Sequence, residues 1–194
     1  MSYTIGPLRL IKGENNWAPY ESAMRDLQDA AFRRAEKIWS GATPGGVFPG
    51  DGEFGICNLR QNEMANDVGA TTLSGSYQFR KNVGATGWRN MFNYTVRKDV
   101  LHAFAGFAVS DEVSRILQMR FEIGDRIYPI IDLHEAKAWG SFAVIFKADA
   151  GKELIAESET RVLVKAYFDT TGYQTFFPIG LELFRRKDLV IVET

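Results

Sequence analysis

The stretch from Leu117 to Leu133, which reads LQMRFEIGDRIYPIIDL, constrains the fold more than any other part of the chain. Apolar and polar residues alternate from Leu117 to Ile123, which is the pattern of a strand with one face in a core and one in water. Gly124-Asp125 then supplies a two-residue turn that accepts positive φ, and a second apolar run follows. The pattern predicts a β-hairpin at the centre of a β-rich domain.

Pro129 interrupts the second run of this hairpin. Because proline has no N–H to donate to a β-ladder, the second strand is predicted to lie at a sheet edge or to be bulged. An open edge that carries Ile127, Tyr128 and Ile130 favours pairing with another chain. We therefore expect this segment to be covered, either by the N-terminal helix and arm or by another copy of the chain.

The rest of the chain also favours sheets over a helix bundle, because it contains 18 glycines and 13% aromatic residues. Short apolar runs separated by turn residues recur from residue 90 onward, a spacing typical of sandwiches, barrels and jelly rolls. Pro178 and Gly180 predict a break between two late strands, Gln174–Phe177 and Leu181–Phe184. The predicted fold is mainly β, a jelly-roll-like β-sandwich over residues 57–194, with one N-terminal amphipathic α-helix. The length of 194 residues fits a single domain, 1–194.

The first part of this domain divides into three predicted segments. Residues 1–16 form an arm or an edge strand, residues 17–40 a helix, and residues 41–56 a Gly/Pro-rich loop. The helix is predicted from an apolar stripe with helical spacing, formed by Tyr20, Met24, Leu27, Ala31, Ala35 and Ile38. Phe32 and Trp39 fall off this stripe, so they either widen its buried face or dock on a neighbouring subunit.

Charge and cysteine content restrict the partners and the compartment. A net charge of −1 predicts no direct nucleic-acid binding, and no apolar run is long enough to predict a membrane span. Because Cys57 is the only cysteine, the chain cannot form an internal disulfide. The N-terminus lacks the apolar region of a signal peptide. We therefore expect a soluble protein that is made in the cytoplasm.

No motif predicts a cofactor, a metal site or a catalytic residue. The string from Gly50 to Gly55 is formally GxGxxG, but prolines precede it and acidic residues flank Gly52, whereas a dinucleotide site needs a strand before it and a helix after it. The only histidines are His102 and His134, and Ala138 stands where an HExxH motif starting at His134 needs its second ligand. His102 is predicted to be a core or interface residue.

The sequence favours a non-catalytic structural subunit that self-associates into a homo-oligomer or larger assembly. The most specific form of this prediction is a virion coat protein of the capsid type. In layout the chain resembles single-jelly-roll coat proteins. Ordered arms and exposed apolar residues are a common means of joining copies into symmetric assemblies. The predicted assembly surface consists of Phe32, Trp39, Phe48, Ile127, Tyr128 and Ile130.

The alternative is an enzyme or small-ligand binder whose cavity lies within the β-sandwich or barrel. Aromatic residues would line that cavity, with Tyr128, Trp139, Tyr167 and Phe176 as candidates. Its polar groups would be Asp132, His134 and Glu135.

Overall fold

The computed structural model describes residues 1–12, 17–39, 54–59, 70–72, 79–149 and 151–185. Within these residues the protein is mainly β, with one long helix near the N-terminus, as predicted. The helices are α1 (Arg9–Lys12), α2 (Ala18–Ile38) and a 3-10 helix (Ala136–Trp139). The strands are β1 (Ser2–Pro7), β2 (Phe54–Asn58), β3 (Ala70–Thr72), β4 (Phe79–Val83), β5 (Gly87–Thr95), β6 (Val100–Val109), β7 (Ile116–Ile123), β8 (Arg126–Ile127), β9 (Ile131–Asp132), β10 (Phe142–Lys147), β11 (Leu154–Ala156), β12 (Arg161–Phe168) and β13 (Gly172–Arg185).

Two predicted features fall largely outside the described residues. Most of the Gly/Pro-rich loop, including Phe48, lies there, and only its last three residues belong to β2. The first four residues of the GxGxxG string, from Gly50 to Glu53, also lie outside.

The strands form two antiparallel sheets. Sheet A has the order β1-β10-β6-β13-β4-β3, and two further strands join it, because β11 also pairs with β6 and β2 with β13. Sheet B has the order β5-β12-β7-β8, and β9 also pairs with β7. The N-terminal residues therefore contribute a strand, β1, which pairs with β10.

The prediction of two late strands separated by a turn is wrong, because Gly172–Arg185 forms one continuous strand, β13. Along one side β13 pairs with β6 from Phe176 to Phe184, with a register shift between Ile179 and Gly180. Along the other side it pairs with β4 up to Phe176 and with β2 from Leu181 onward. Pro178 lies in the interval between these two partners, where no described strand needs its missing N–H.

The two sheets share an aromatic core. Phe79 of sheet A lies edge-to-face against Phe92 of sheet B, with ring centroids 4.9 Å apart. Phe104 of sheet A and Phe121 of sheet B are tilted by 58° to each other, with centroids 6.0 Å apart. The opposite face of sheet A is covered by α2, whose Leu27 belongs to a second apolar cluster. Rings with large apolar surfaces fill the space between the sheets, so their burial is a main stabilising contribution to the fold.

Candidate functional site

The edge of sheet B has the interrupted geometry that the sequence predicts. The chain turns at Gly124, whose φ of 57° is in the left-handed region that favours glycine. Strand β8 then pairs with β7 for only two residues, and pairing resumes at β9. Pro129 lies between β8 and β9, and β8 is the last strand of sheet B among the described residues, so the prediction that the second strand lies at a sheet edge is confirmed.

Two large apolar side chains are exposed along this segment. Ile127 is 67% exposed and Ile130 is 48% exposed. Between them, Tyr128 is half-buried against the core, and its hydroxyl donates a hydrogen bond to the carbonyl oxygen of Glu153 at 3.4 Å. Tyr128 thus fixes the segment to the body of the protein while both isoleucines face solvent. We name the surface formed by Ile127, Tyr128 and Ile130 the β8–β9 surface.

Two other residues of the predicted assembly surface lie at the interface between α2 and sheet A. Trp39 is only 5% exposed and belongs to the apolar cluster there, and Phe32 is half-buried against the same cluster. Both side chains thus widen the buried face of the helix, which is one of the two roles that the sequence leaves open. Of the predicted surface, only the β8–β9 residues contribute to an exposed patch in the described part of the chain.

The three predicted polar ligand groups are exposed and follow one another in one turn. The Asp132 carboxylate oxygen Oδ1 accepts a hydrogen bond from the backbone N–H of His134 at 3.0 Å, which is the geometry of an Asx turn. Glu135 is exposed at the start of the 3-10 helix. The Asp132 side chain therefore has a local structural role at the end of β9.

The four aromatic residues predicted to line a cavity are dispersed. Phe176 is fully buried between the sheets, whereas Trp139 is 50% exposed at the end of the 3-10 helix. Tyr167 lies on the outer face of sheet B against Trp88, with ring centroids 5.8 Å apart. None of the four lines either of two cavities, of about 500 and 730 Å³, that border α2.

A buried polar cluster joins the two sheets, and the sequence does not reveal it. His102 on β6 and Glu182 on β13 are both fully buried, and Nε2 of His102 lies 3.3 Å from Oε2 of Glu182. The second imidazole nitrogen, Nδ1, forms a 2.8 Å hydrogen bond with the Tyr94 hydroxyl of sheet B. Arg97 reaches the other Glu182 oxygen at 3.5 Å from the half-exposed side. The predicted burial of His102 is confirmed, and the cluster adds a polar connection between sheets A and B.

The position of this cluster favours a structural role. An imidazole in contact with a carboxylate is a common acid–base arrangement, but a general base must reach a proton of its substrate. The His102 and Glu182 side chains have no solvent-exposed surface, and neither residue lines the two cavities beside α2. Within the described ranges, no three His, Cys, Asp or Glu side chains group together as metal ligands.

Comparison with protein families and with curated proteins finds no match to this chain. Among solved structures, the chain is similar to dimeric latent PorU from Porphyromonas gingivalis, with 9% sequence identity and a TM-score of 0.30. The match covers 69% of this chain and only 13% of the PorU chain. A similarity of this size carries no argument about function. Among the described residues, no helix is long and apolar enough to cross a membrane.

Proposed function

We propose that this protein is a structural subunit that self-associates through the β8–β9 surface and that its two sheets form a jelly roll. The strand pairing supports the jelly roll. When the short strands β9 and β11 are left aside, eight strands run from β4 to β13. The first of these pairs with the last, β4 with β13, and the second with the seventh, β5 with β12. The third pairs with the sixth, β6 with β10, and the fourth with the fifth, β7 with β8. An eight-stranded hairpin that folds over into two sheets is the jelly-roll arrangement.

The proposed jelly roll is compatible with several classes of function and does not select one of them. Virus capsid subunits, lectins and cupins all use this architecture. Because function depends on the site that a fold carries, an exposed surface has to decide between these classes. Among the features of the described residues, the β8–β9 surface fits a coat or shell subunit best.

The observation that carries the proposal is the exposure of Ile127 and Ile130 at an edge of sheet B. Large apolar side chains next to each other on a surface mark interaction sites, and an open sheet edge accepts a strand from another chain. In the described part of the chain, β8 pairs with β7 alone. A second copy that covers this edge would bury both isoleucines and provide partners for the unpaired backbone groups.

The sharpest form of the proposal is a virion coat protein, made in the cytoplasm and assembled into a closed shell. A shell needs contacts that repeat by symmetry, and the same edge on every copy satisfies this requirement. The coat assignment goes beyond self-association, and electron microscopy of the purified protein tests it separately. Closed particles of uniform size are expected, and a population of discrete dimers alone would contradict the coat form.

The double substitution Ile127→Glu and Ile130→Glu tests the β8–β9 surface. Two carboxylates at a buried contact lack water and counter-charges, so we expect the association constant to fall about a hundredfold or more. Sedimentation velocity measures the mass, and far-UV circular dichroism verifies the fold.

Val113→Glu is the matched control, because Val113 is 59% exposed and precedes β7, whereas Ile127 follows it. The eight residues of β7 separate Val113 from Ile127 by roughly 25 Å. Ile130 lies nearer, because its neighbour Ile131 pairs with Met119 in the middle of β7. We expect Val113→Glu to leave the mass unchanged. Equal loss of assembly in both variants would contradict the assignment of this surface.

A further inference from the structure

An open cavity of about 730 Å³ lies where the C-terminal half of α2 passes over β11 and the β7–β8 turn. The cavity lies between α2, which covers sheet A, and the edge of sheet B. Residues of both regions line it. Its volume falls within the range of roughly 300–1,000 Å³ that is typical of small-molecule sites.

Four cationic side chains from two elements border this cavity. Arg33, Arg34 and Lys37 come from α2, and Arg126 comes from β8 on the other side. Residues three or four positions apart share one face of a helix, so the spacing of Arg33, Arg34 and Lys37 brings them together at the cavity. Arg34 forms hydrogen bonds to Glu157 Oε1 through both Nε and Nη2, which fixes its guanidinium.

Arg33 and Lys37 are the two α2 cations at this cavity that form no ion pair with a described carboxylate. Both are exposed. The two remaining acidic residues of the lining are Asp125 and Glu153, which come from the side of Arg126.

Arg126 and Glu153 both act on the Tyr128 hydroxyl, which places their charges close together. Burial raises the pKa of Tyr128, the hydrogen bond and charge of Arg126 lower it, and the charge of Glu153 raises it further. Because these charges offset one another at one end of the cavity, the helix end keeps an excess of positive charge.

Gly151 and Thr160 are uncharged polar members of the lining. Gly151 has a φ of 80°, and no heavy atom lies within 4 Å of the position that a Cβ would take. A glycine in this conformation leaves its backbone open to close approach by a ligand. Guanidinium, ammonium, hydroxyl and backbone N–H groups together are the donors that phosphate groups prefer.

We propose that this cavity binds a phosphoryl anion of the pyrophosphate type, with Arg33 and Lys37 as the principal contacts. Two sources share this chemistry, the polyphosphate of a nucleotide and the diester backbone of a nucleic acid. The carboxylates of Asp125 and Glu153 on the far side of the cavity would repel the continuing phosphates of an extended strand, so a compact anion beside α2 fits better. The inference goes beyond self-association and does not depend on it.

Isothermal titration calorimetry with pyrophosphate tests the site, using the double substitution Arg33→Glu and Lys37→Glu. Reversal of two exposed charges is expected to weaken binding about tenfold or more. Arg25→Glu is the matched control, because Arg25 is exposed on the same helix but lines neither cavity. We expect Arg25→Glu to keep the wild-type affinity within about twofold.

Three results would overturn the proposal. The first is the absence of pyrophosphate binding to the wild-type protein at millimolar concentration. The second is an equal loss of affinity in Arg25→Glu, which would indicate a general charge effect. The third is binding of a single-stranded oligonucleotide but not of pyrophosphate. Sedimentation velocity of the Arg33/Lys37 double variant is expected to give the wild-type mass, so that a failure of anion binding and a failure of assembly remain distinguishable.

Discussion

The outer faces of the two sheets carry very different residues. The outer face of sheet A lies under α2 and is built from small and aliphatic side chains such as Ala103 and Ile145, which meet Leu27 and Ala31 of the helix. The outer face of sheet B has no described helix over it. Instead it carries an ion-pair network in which Glu122 contacts Arg120 at 2.7 Å and Lys165 at 3.1 Å.

The side chains of each outer face determine what covers it: the outer face of sheet A packs against a helix, and the outer face of sheet B contacts solvent. Small residues on both sides let a helix approach a sheet closely, and apolar burial then stabilises the contact. Charged side chains on sheet B remain hydrated and offset one another, so this face needs no cover. The β8–β9 surface lies at the edge of this sheet, where Ile127 and Ile130 are more exposed than the Trp88 and Tyr167 rings on its outer face.

The largest expected effect comes from placing a charge under α2. Ala31 is fully buried, and Ala31→Glu would bury a carboxylate without a partner, which should lower the free energy of unfolding by about 3–5 kcal/mol. Urea denaturation monitored by circular dichroism measures this change. Gln28→Glu adds the same charge at an exposed position of the same helix and should change stability by less than about 0.5 kcal/mol. Similar costs for the two substitutions would contradict the buried position of Ala31.

A smaller effect is expected on the outer face of sheet B. Trp88 is 37% exposed and packs edge-to-face against Tyr167, while Arg120 lies over its ring at 5.7 Å. Trp88→Ala should reduce the free energy of unfolding by about 1 kcal/mol, because a half-exposed aromatic pair and a cation–π contact are both modest contributions. The same denaturation experiment measures it. A loss as large as that of Ala31→Glu would show that this face is covered in solution.

The smallest effect depends on pH and concerns Glu122. Partial burial acts to raise the Glu122 pKa, but hydrogen bonds and charges from Lys165 and Arg120 outweigh it, so the pKa is lowered from its ordinary value. A lowered carboxyl pKa stabilises the folded state above the pKa of the unfolded chain, about 4.3. This stabilisation is lost as pH falls through the lower pKa of the folded state.

Glu122→Gln should therefore cost up to about 1 kcal/mol at pH 7. The difference from the wild-type protein should disappear in strong acid, and denaturation across this pH range measures both values. A difference that stays constant down to pH 2 would contradict the ionic origin of the stabilisation.

Local patterns in the sequence predict the elements of the fold well. The spacing of Leu27, Ala31 and Ala35 predicts the buried face of α2, and all three are buried. The alternation before Gly124 predicts β7 and the turn that follows it, and Pro129 predicts the interrupted edge. In each case the residues that set the structure lie within a few positions of one another.

Local sequence patterns do not predict features that depend on how distant strands pair. His102 and Glu182 are 80 positions apart by number and become neighbours only because β6 pairs with β13 in one register. Pro178 indicates a turn locally, yet β13 continues because its neighbouring strands leave a gap at that point. The cavity beside α2 likewise arises from the packing of three separate elements.

Sedimentation velocity of the wild-type protein over a wide concentration range tests self-association most directly. We expect species larger than the 21.8 kDa monomer that dissociate when Ile127 and Ile130 are replaced by glutamate. A strict monomer at every concentration would contradict the assignment of the β8–β9 surface as an interface between copies of this chain.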